Sequence, residues 1–420
     1  MGKTFAEKIL SRAAGQDVKA GDIVVVCPDF CMSHENASSI SETFKKIGVD
    51  RVFSPDRIVI IFDHTVPAST AEYARSQKVA REFVREQDIT HFYDMNSCGG
   101  ICHQIMCQEG YAVPGAVIVG TDSHTCTHGA FGAFATGIGR SEMAAVWATG
   151  EIWLSVPESI KITIDGVFPR GVYAKDLILK IIGDIGADGA NYKSVELHGE
   201  AIARMSLAER MTLCNMAIEY GAKNSVCRPD EKTYDFIRGR EKLTRHESVW
   251  ADADAVYCRE LTYHLEDIVP CVAKPHTVDN YAPVQEAIGT PVDQAFIGTC
   301  TNARLEDLRI SAAILKGNRV AVRTIVIPAS VAIYRDAIRE GLIDIFLEAG
   351  CTVSHPGCGP CIGVSGGCLA DGETVISTAN RNFRGRNGAK TSQIYLASPA
   401  TVAWSAVNGC ISDPCASNSL

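Results

Sequence analysis

One unit recurs along this chain and restricts what it can fold into. A short apolar run of strand length is followed by Asp, His, Cys or Arg, then by small residues, then by a helical pattern. The unit occurs at residues 57–62 (RIVIIF) ahead of Asp63 and His64, and at 116–119 (AVIV) ahead of Asp122, Ser123 and His124. It returns at 295–297 ahead of Gly298, Thr299 and Cys300, and at 373–377 ahead of Asn380 and Arg381. Continuous apolar runs of this length form parallel strands covered on both faces. In open α/β sheets, ligands bind beyond the carboxyl ends of the strands. The expected fold class is therefore α/β, with strand ends of two domains facing each other across the chemistry.

Composition narrows the partners. At 420 residues and 46% apolar, the chain can bury several cores. A net charge of −9 with no block of basic residues argues against a nucleic-acid footprint. No run approaches the roughly 20 apolar residues of a membrane span. Residues 1–10 lack the apolar core of a signal peptide, and Ala6 stands where a myristoylation signal has Ser or Thr. The expectation is a cytoplasmic protein. Its 17 cysteines are an odd number in a long chain, which does not read as a disulfide scaffold. Most of them, such as Cys27, Cys107, Cys214 and Cys227, read as small buried hydrophobes.

Taken in order, the pattern predicts a helix at 3–10, a buried strand at 23–27, and a loop carrying Ser33, His34, Glu35 and Asn36. A helix at 70–87 precedes the loop NSCGGICHQ with His103, and another runs from 141 to 149. Alternation at 160–164 predicts a half-solvated strand, and 174–185 a helix. Residues 207–219 read as one helix with Ser206 and Glu209 as a capping box, which places Asn215 and Glu219 on one face. Prolines at 270, 275, 283 and 291 mark 269–292 as a linker. Beyond it come helices at 303–316 and 329–340, a strand at 324–327, a final strand at 373–377 and a frayed tail after Cys410. The expected domains are 1–156, 157–270 and 271–420.

Cys358 and Cys361 stand two residues apart in HPGCGPCIGVSGGC, and Cys300 lies far away in sequence. Three soft ligands from two loops suit an iron–sulfur cluster or zinc. A four-thiol zinc site completed by Cys368 and a C-x-x-C redox pair remain open at this point. A closed zinc site needs no surrounding acids, bases and arginines, whereas an open metal site does. His64, His103 and His124, with Asp63 and Asp122 beside two of them, match that need: a carboxylate orients a histidine and stabilises its charged form, which suits proton transfer to a leaving hydroxyl. Adjacent Asp122, Ser123 and His124 cannot converge as a protease triad. Arg381, Arg384 and Arg386 are either a solvated basic turn or a clamp for carboxylates. There is no dinucleotide fingerprint and no Walker lysine.

The motifs FDHTVP, GGICHQI, GTDSHT, CNMAIEYGA, GTCTN, HPGCGPCIG and NRNFRGRN, in this order, resemble the aconitase superfamily of hydro-lyases. In length the chain is similar to the large subunits of two-chain 3-isopropylmalate dehydratases and homoaconitases. The resemblance implies three α/β/α domains around a central iron–sulfur cleft, without the swivelling domain of single-chain aconitases. It implies one [4Fe–4S] cluster on Cys300, Cys358 and Cys361. It further implies charge-coupled pairs of Asp63 with His64, Asp122 with His103, and Glu219 with His124. Asn215 and Asn380 would brace the cluster, and Ser123, Arg381 and Arg386 would meet the substrate. The resemblance places the carbon base, a serine in such family members, on a separate small subunit, the implied partner; neither nucleic acid nor membrane is expected. The implied activity is dehydration and rehydration of a hydroxy-di- or tricarboxylic acid, with 3-isopropylmalate of leucine biosynthesis first. Homoaconitate, methylmalate and 2,3-dimethylmalate are alternatives, and a cluster-free binding protein or a structural zinc protein lies outside the class. Departures from the family pattern are the loop CMSHENAS, the insertion NSCGG with Cys98, Thr299 in place of a common Ser, and the tail with Cys415.

Overall fold

The computed structural model describes residues 2–96, 98–243 and 247–417; Ser97 of the NSCGG stretch and the last three residues of the tail lie outside the described residues. An antiparallel ribbon pairs β1 (Ile23–Val26) with β7 (Ile152–Ser155). Residues 23–27 were expected to be buried, yet Ile23 and Val25 are exposed while Val24 and Val26 are buried. A two-stranded ribbon covers its core on one side only, so alternate residues face water.

The first sheet joins β2 (Phe30–Ser33), β3 (Ile58–Ile61), β4 (His91–Tyr93), β5 (Val117–Gly120) and β6 (Phe134–Gly137). All pairs are parallel and the order is β4-β3-β2-β5-β6. The sheet grows from β2 to β4 on one side and then reverses to β5 and β6 on the other. Loops leaving β2 and β5 therefore diverge and open a crevice at their carboxyl ends. β3 and β5 are buried along their whole length, as continuous β-branched runs in a parallel sheet require.

The second sheet joins β8 (Ser159–Asp165), β9 (Ser194–His198), β10 (Asn224–Cys227) and β11 (Arg259–His264), all parallel, in the order β10-β9-β8-β11. The third joins β12 (Cys271–Ala273), β13 (Tyr281–Pro283), β14 (Gln294–Ile297), β15 (Arg323–Val326), β16 (Thr352–Val353), β17 (Thr374–Ser377) and β18 (Gln393–Ala397). Its order is β13-β12-β18-β17-β14-β15-β16, and β14 to β18 run parallel. This sheet too reverses direction, at β14 between β15 and β17.

Three expectations are corrected here. The proline-rich stretch 269–292 is not a linker: it supplies β12 and β13, antiparallel to each other, and β12 also pairs antiparallel with β18. Its prolines fall at or outside strand ends and on the edge strand, where a missing N–H costs no ladder bond. The strand at 373–377 is not the last, because β18 and the helix Pro399–Asn408 follow it. Residues 207–219 are not one α-helix: Leu207–Asn215 is α-helical, and Met216–Tyr220 tightens into a 3-10 turn. The Ser206–Glu209 capping box is present.

The helix Ala174–Ile185 ties the second and third sheets together. Leu177, Ile178, Ile181 and Ile182 are buried, and the helix packs on Leu207–Asn215 and on β12. Burying such side chains stabilises by about 1.5–3 kcal/mol each. No described helix is long and apolar enough to cross a membrane.

Candidate active site

Strand ends of the first and third sheets meet, and the helix end of the second closes the gap between them. From the first sheet, β2 delivers His34 and Glu35, β3 delivers Asp63 and His64, and β5 delivers Asp122, which caps the 3-10 helix Ser123–Phe131. The third sheet contributes Cys300 after β14, Cys358 and Cys361 after β16, and Asn380 and Arg381 after β17.

Each carboxylate of the first sheet is shared. Asp63 Oδ1 accepts from His64 Nδ1 at 2.5 Å, and its Oδ2 accepts the Cys102 amide at 2.7 Å. The carbonyl of Asp63 accepts the Cys358 amide at 2.8 Å, which fastens the cysteine loop to the first sheet. Asp122 Oδ1 accepts from His103 Nε2 and from the His124 amide, both at 2.8 Å, while His64 Nε2 lies 3.3 Å from Asp122 Oδ2. His124 Nε2 donates to Glu219 Oε1 at 2.6 Å. The 3-10 turn aims Glu219 at both His124 and Arg381, whose Nε reaches the Glu219 oxygens at 2.8 and 3.1 Å.

These contacts set the charge states. Burial raises the Glu219 carboxyl, but His124 and then Arg381 outweigh it, and the net shift is downward. Burial likewise opposes ionisation of Asp122, yet His103, His124 and His64 together hold it well below the usual carboxylate range. For His64, burial disfavours the imidazolium; Cys358, Asp63 and Asp122 more than offset this and raise it well above its ordinary value. With a carboxylate facing each ring nitrogen, His64 is built to carry a proton on both.

The thiols are held differently. Asn380 Nδ2 donates to Cys300 Sγ at 3.2 Å, and Cys361 Sγ lies 3.9 Å from Asn380 Oδ1. Asn380 Nδ2 also donates to Asn215 Oδ1 at 3.2 Å, Thr301 Oγ1 donates to the same oxygen, and Asn215 Nδ2 donates to Thr127 Oγ1 at 2.8 Å. One buried amide, Asn215 of the second sheet's layer, thus joins elements of the first and third sheets. Arg304 holds the Cys300 carbonyl at 2.7 Å. Gly359, at φ +54°, lets the loop pass Ile327: a Cβ there would meet Ile327 Cδ1 at 2.3 Å. Burial pushes the Cys300 thiol up to about 12, with Cys361 adding to it, and places Cys358 well above its ordinary value.

The three cysteines are free and come together with Asn380 between two of them, while Cys368, which a four-thiol zinc site would need, is exposed. The ligating atoms of His103, His124 and Cys300 lie within 4.8 Å of one another, so the two walls share one space. Three soft sulfurs beside an array of acids and bases fit a cluster with an open side. Of the residues expected at the substrate, Ser123 and Arg386 are half-buried, and Arg386 Nε is without a partner. Arg381 has its Nε engaged by Glu219, and Arg384 is exposed.

Sequence reasoning gave no role to Glu35 or His34. Glu35 accepts the Thr65 amide at 2.8 Å and the His64 amide at 3.2 Å, and the His34 ring stacks on His64 with centroids 4.0 Å apart. The same strand-end unit that exposed Asp63 also marks this pair. Thr299 sits at φ +76°, a conformation that a β-branched residue avoids, directly before Cys300.

Comparison with known proteins adds the following. The family model described as "Aconitase family (aconitate hydratase)" matches residues 7–291 and 285–409. The 3-isopropylmalate dehydratase large subunit 1 of Methanopyrus kandleri is 52% identical over 417 residues, covering 99% of each chain. A probable methanogen homoaconitase large subunit of Methanosarcina mazei is 54% identical over 387 residues, covering 92% of this chain and 98% of that one. The crystal structure of Thermococcus kodakaraensis aconitase X in its holo-form matches with a TM-score of 0.50 at 12% identity, covering 92% of each chain, which supports the fold alone.

Proposed function

Since the chain belongs to the aconitase family of hydro-lyases, we propose that it is the large subunit of a two-chain 3-isopropylmalate dehydratase, which isomerises its substrate by removing and re-adding water. Cys300, Cys358 and Cys361 would hold a [4Fe–4S] cluster. When bound, the cluster supplies a Lewis-acidic iron that polarises the substrate's carbon–oxygen bond. The observation that carries the reading is the meeting of these three thiols with three histidine–carboxylate pairs at facing strand ends.

The chain's own groups have separable tasks. His64, with a carboxylate at each ring nitrogen, stores the proton that the departing hydroxyl takes up. Asp122 and Glu219 keep His103 and His124 in fixed orientation and offset positive charge on them. Arg386, with a free Nε, and the terminal nitrogens of Arg381 bind substrate carboxylates and stabilise the negative charge that develops beside them. Asn215 and Asn380 fix the thiol positions. The base for the carbon proton comes from a separate small subunit, which the "large subunit" in the relatives' names implies. Seventeen free cysteines suit a reducing cytoplasm.

Homoaconitase is the second reading, because the homoaconitase-named relative is as similar as the dehydratase-named one. The test is anaerobic reconstitution of the chain with its cognate small subunit, followed by turnover of 3-isopropylmalate, homoaconitate, methylmalates and 2,3-dimethylmalate. The leading reading expects kcat/KM for 3-isopropylmalate to exceed the others by about two orders of magnitude, the scale a substrate-matched pocket reaches. Stoichiometric zinc, or no inorganic sulfide after reconstitution, would overturn the cluster assignment.

A further inference from the structure

Lys175 lies in the first turn of the helix Ala174–Ile185 and is wholly buried. Its Nζ donates to the carbonyls of Thr378 at 2.8 Å and Ala379 at 2.7 Å. Those two residues follow the end of β17 and lead directly into Asn380 and Arg381. A side chain of the second sheet's layer therefore grips the backbone that presents the thiol brace and an arginine of the site.

A buried ammonium requires opposite charge nearby, or its desolvation is left unbalanced. No carboxylate pairs with Lys175 among the described residues. The two carboxyls near it are engaged elsewhere. Asp176 accepts the amides of Tyr173 and Cys271, both at 3.0 Å, and burial pushes it up to about 7. Asp307 accepts from Asn302 and from the Arg304 amide, and burial raises it as well. Burial pushes Lys175 down to about 7, and the strongest opposing influence on it is Cys300, with Cys361 also contributing. Metal-bound thiols are thiolates, so a loaded site gathers negative charge where this ammonium lacks a partner.

We propose that Lys175 is a positioning residue of the thiol wall: it fixes the turn after β17 that leads into Asn380 and Arg381, and its buried positive charge balances the thiolates of Cys300 and Cys361. The inference rests on the cluster reading above. It assigns no contact with substrate.

Three variants of the large subunit test it: Lys175→Gln keeps N–H donors without charge, Lys175→Arg keeps both, and Lys175→Met keeps neither. After anaerobic reconstitution, two quantities are read on the large subunit: the rate of iron loss to a chelator and the midpoint potential of the cluster. Removing a buried cation lowers a cluster's potential, because the reduced, more negative form loses its partner. K175Q and K175M are expected to release iron about ten-fold faster than wild type, the size of effect seen when outer supports of a metal site are removed. Both are expected to have a lower midpoint potential, while K175R stays near wild type. Wild-type behaviour of K175Q in both readouts, or a loss in K175R equal to that in K175Q, would overturn the role of the charge. Were the neutral variants insoluble, nitrogen-15 NMR of the Lys175 side chain in the wild-type protein decides: loading is expected to keep the ammonium protonated to higher pH, and the same titration in loaded and unloaded chain would contradict the proposal. A wild-type chain that takes up no sulfide would instead sink the cluster reading itself.

Discussion

The two walls of the site are built on opposite plans. On the acid–base wall, Asp63 and Asp122 of the first sheet and Glu219 of the second sheet's layer each accept two or more hydrogen bonds, and His64, His103 and His124 each face a carboxylate. On the third-sheet wall, Asn380 stands between Cys300 and Cys361, and the thiols have few partners. The acid–base wall is therefore ordered by the chain alone, whereas the thiol wall is ordered by its loops and by whatever the thiols hold. Damage to the first should read as lost chemistry in an intact, loaded protein; damage to the second should read as lost loading.

The largest effect comes from breaking the thiol wall. Cys361→Ala should abolish cluster assembly and with it turnover, while circular dichroism and the melting temperature stay near those of the unloaded wild type. Wild-type iron retention in that variant would end the contrast. Breaking the other wall gives the converse. His64→Ala should lower kcat about 10²–10⁴-fold, the usual range for a general acid–base group, with iron and sulfide content unchanged. Equal loss of iron would show that the walls are not separable. Asn380→Ala lies between them and should weaken iron retention about 10–100-fold while sparing the pH profile of residual turnover.

A smaller signal comes from pH. Glu219 and Asp122 both have lowered folded values. Each therefore contributes stability above the ordinary carboxyl range, and that stability is lost as pH falls through the lowered value. The urea midpoint of the unloaded chain should drop between about pH 5 and about pH 3, and Glu219→Gln should flatten the drop. A slope unchanged in that variant would mean that Glu219 is not among its sources. The smallest effect concerns neither wall directly: Ser206→Ala removes the cap of the helix that delivers Asn215 and should cost about 1 kcal/mol in urea unfolding.

The strand-end unit made the α/β class and most site residues legible, because composition and order within each unit are local. What it hid depended on pairing between distant segments. Residues 269–292 read as a linker since nothing in the stretch itself reveals that β12 finds β18 more than a hundred residues later. The α-to-3-10 change after Asn215 left no local mark, yet it decides that Glu219 meets both His124 and Arg381. The helical pattern at 174–185 gave Lys175 no role; only its hydrogen bonds to the turn after β17 show where its charge ends up.

Asn215 joins Thr127, Thr301 and Asn380, each from a different stretch of the chain, through a single carboxamide. A nascent chain cannot complete that junction until its last third has been made and has closed onto the rest. Were these thiols to hold a cluster, its insertion would follow completion of the polypeptide, and a truncated product would have no finished seat in which to trap iron.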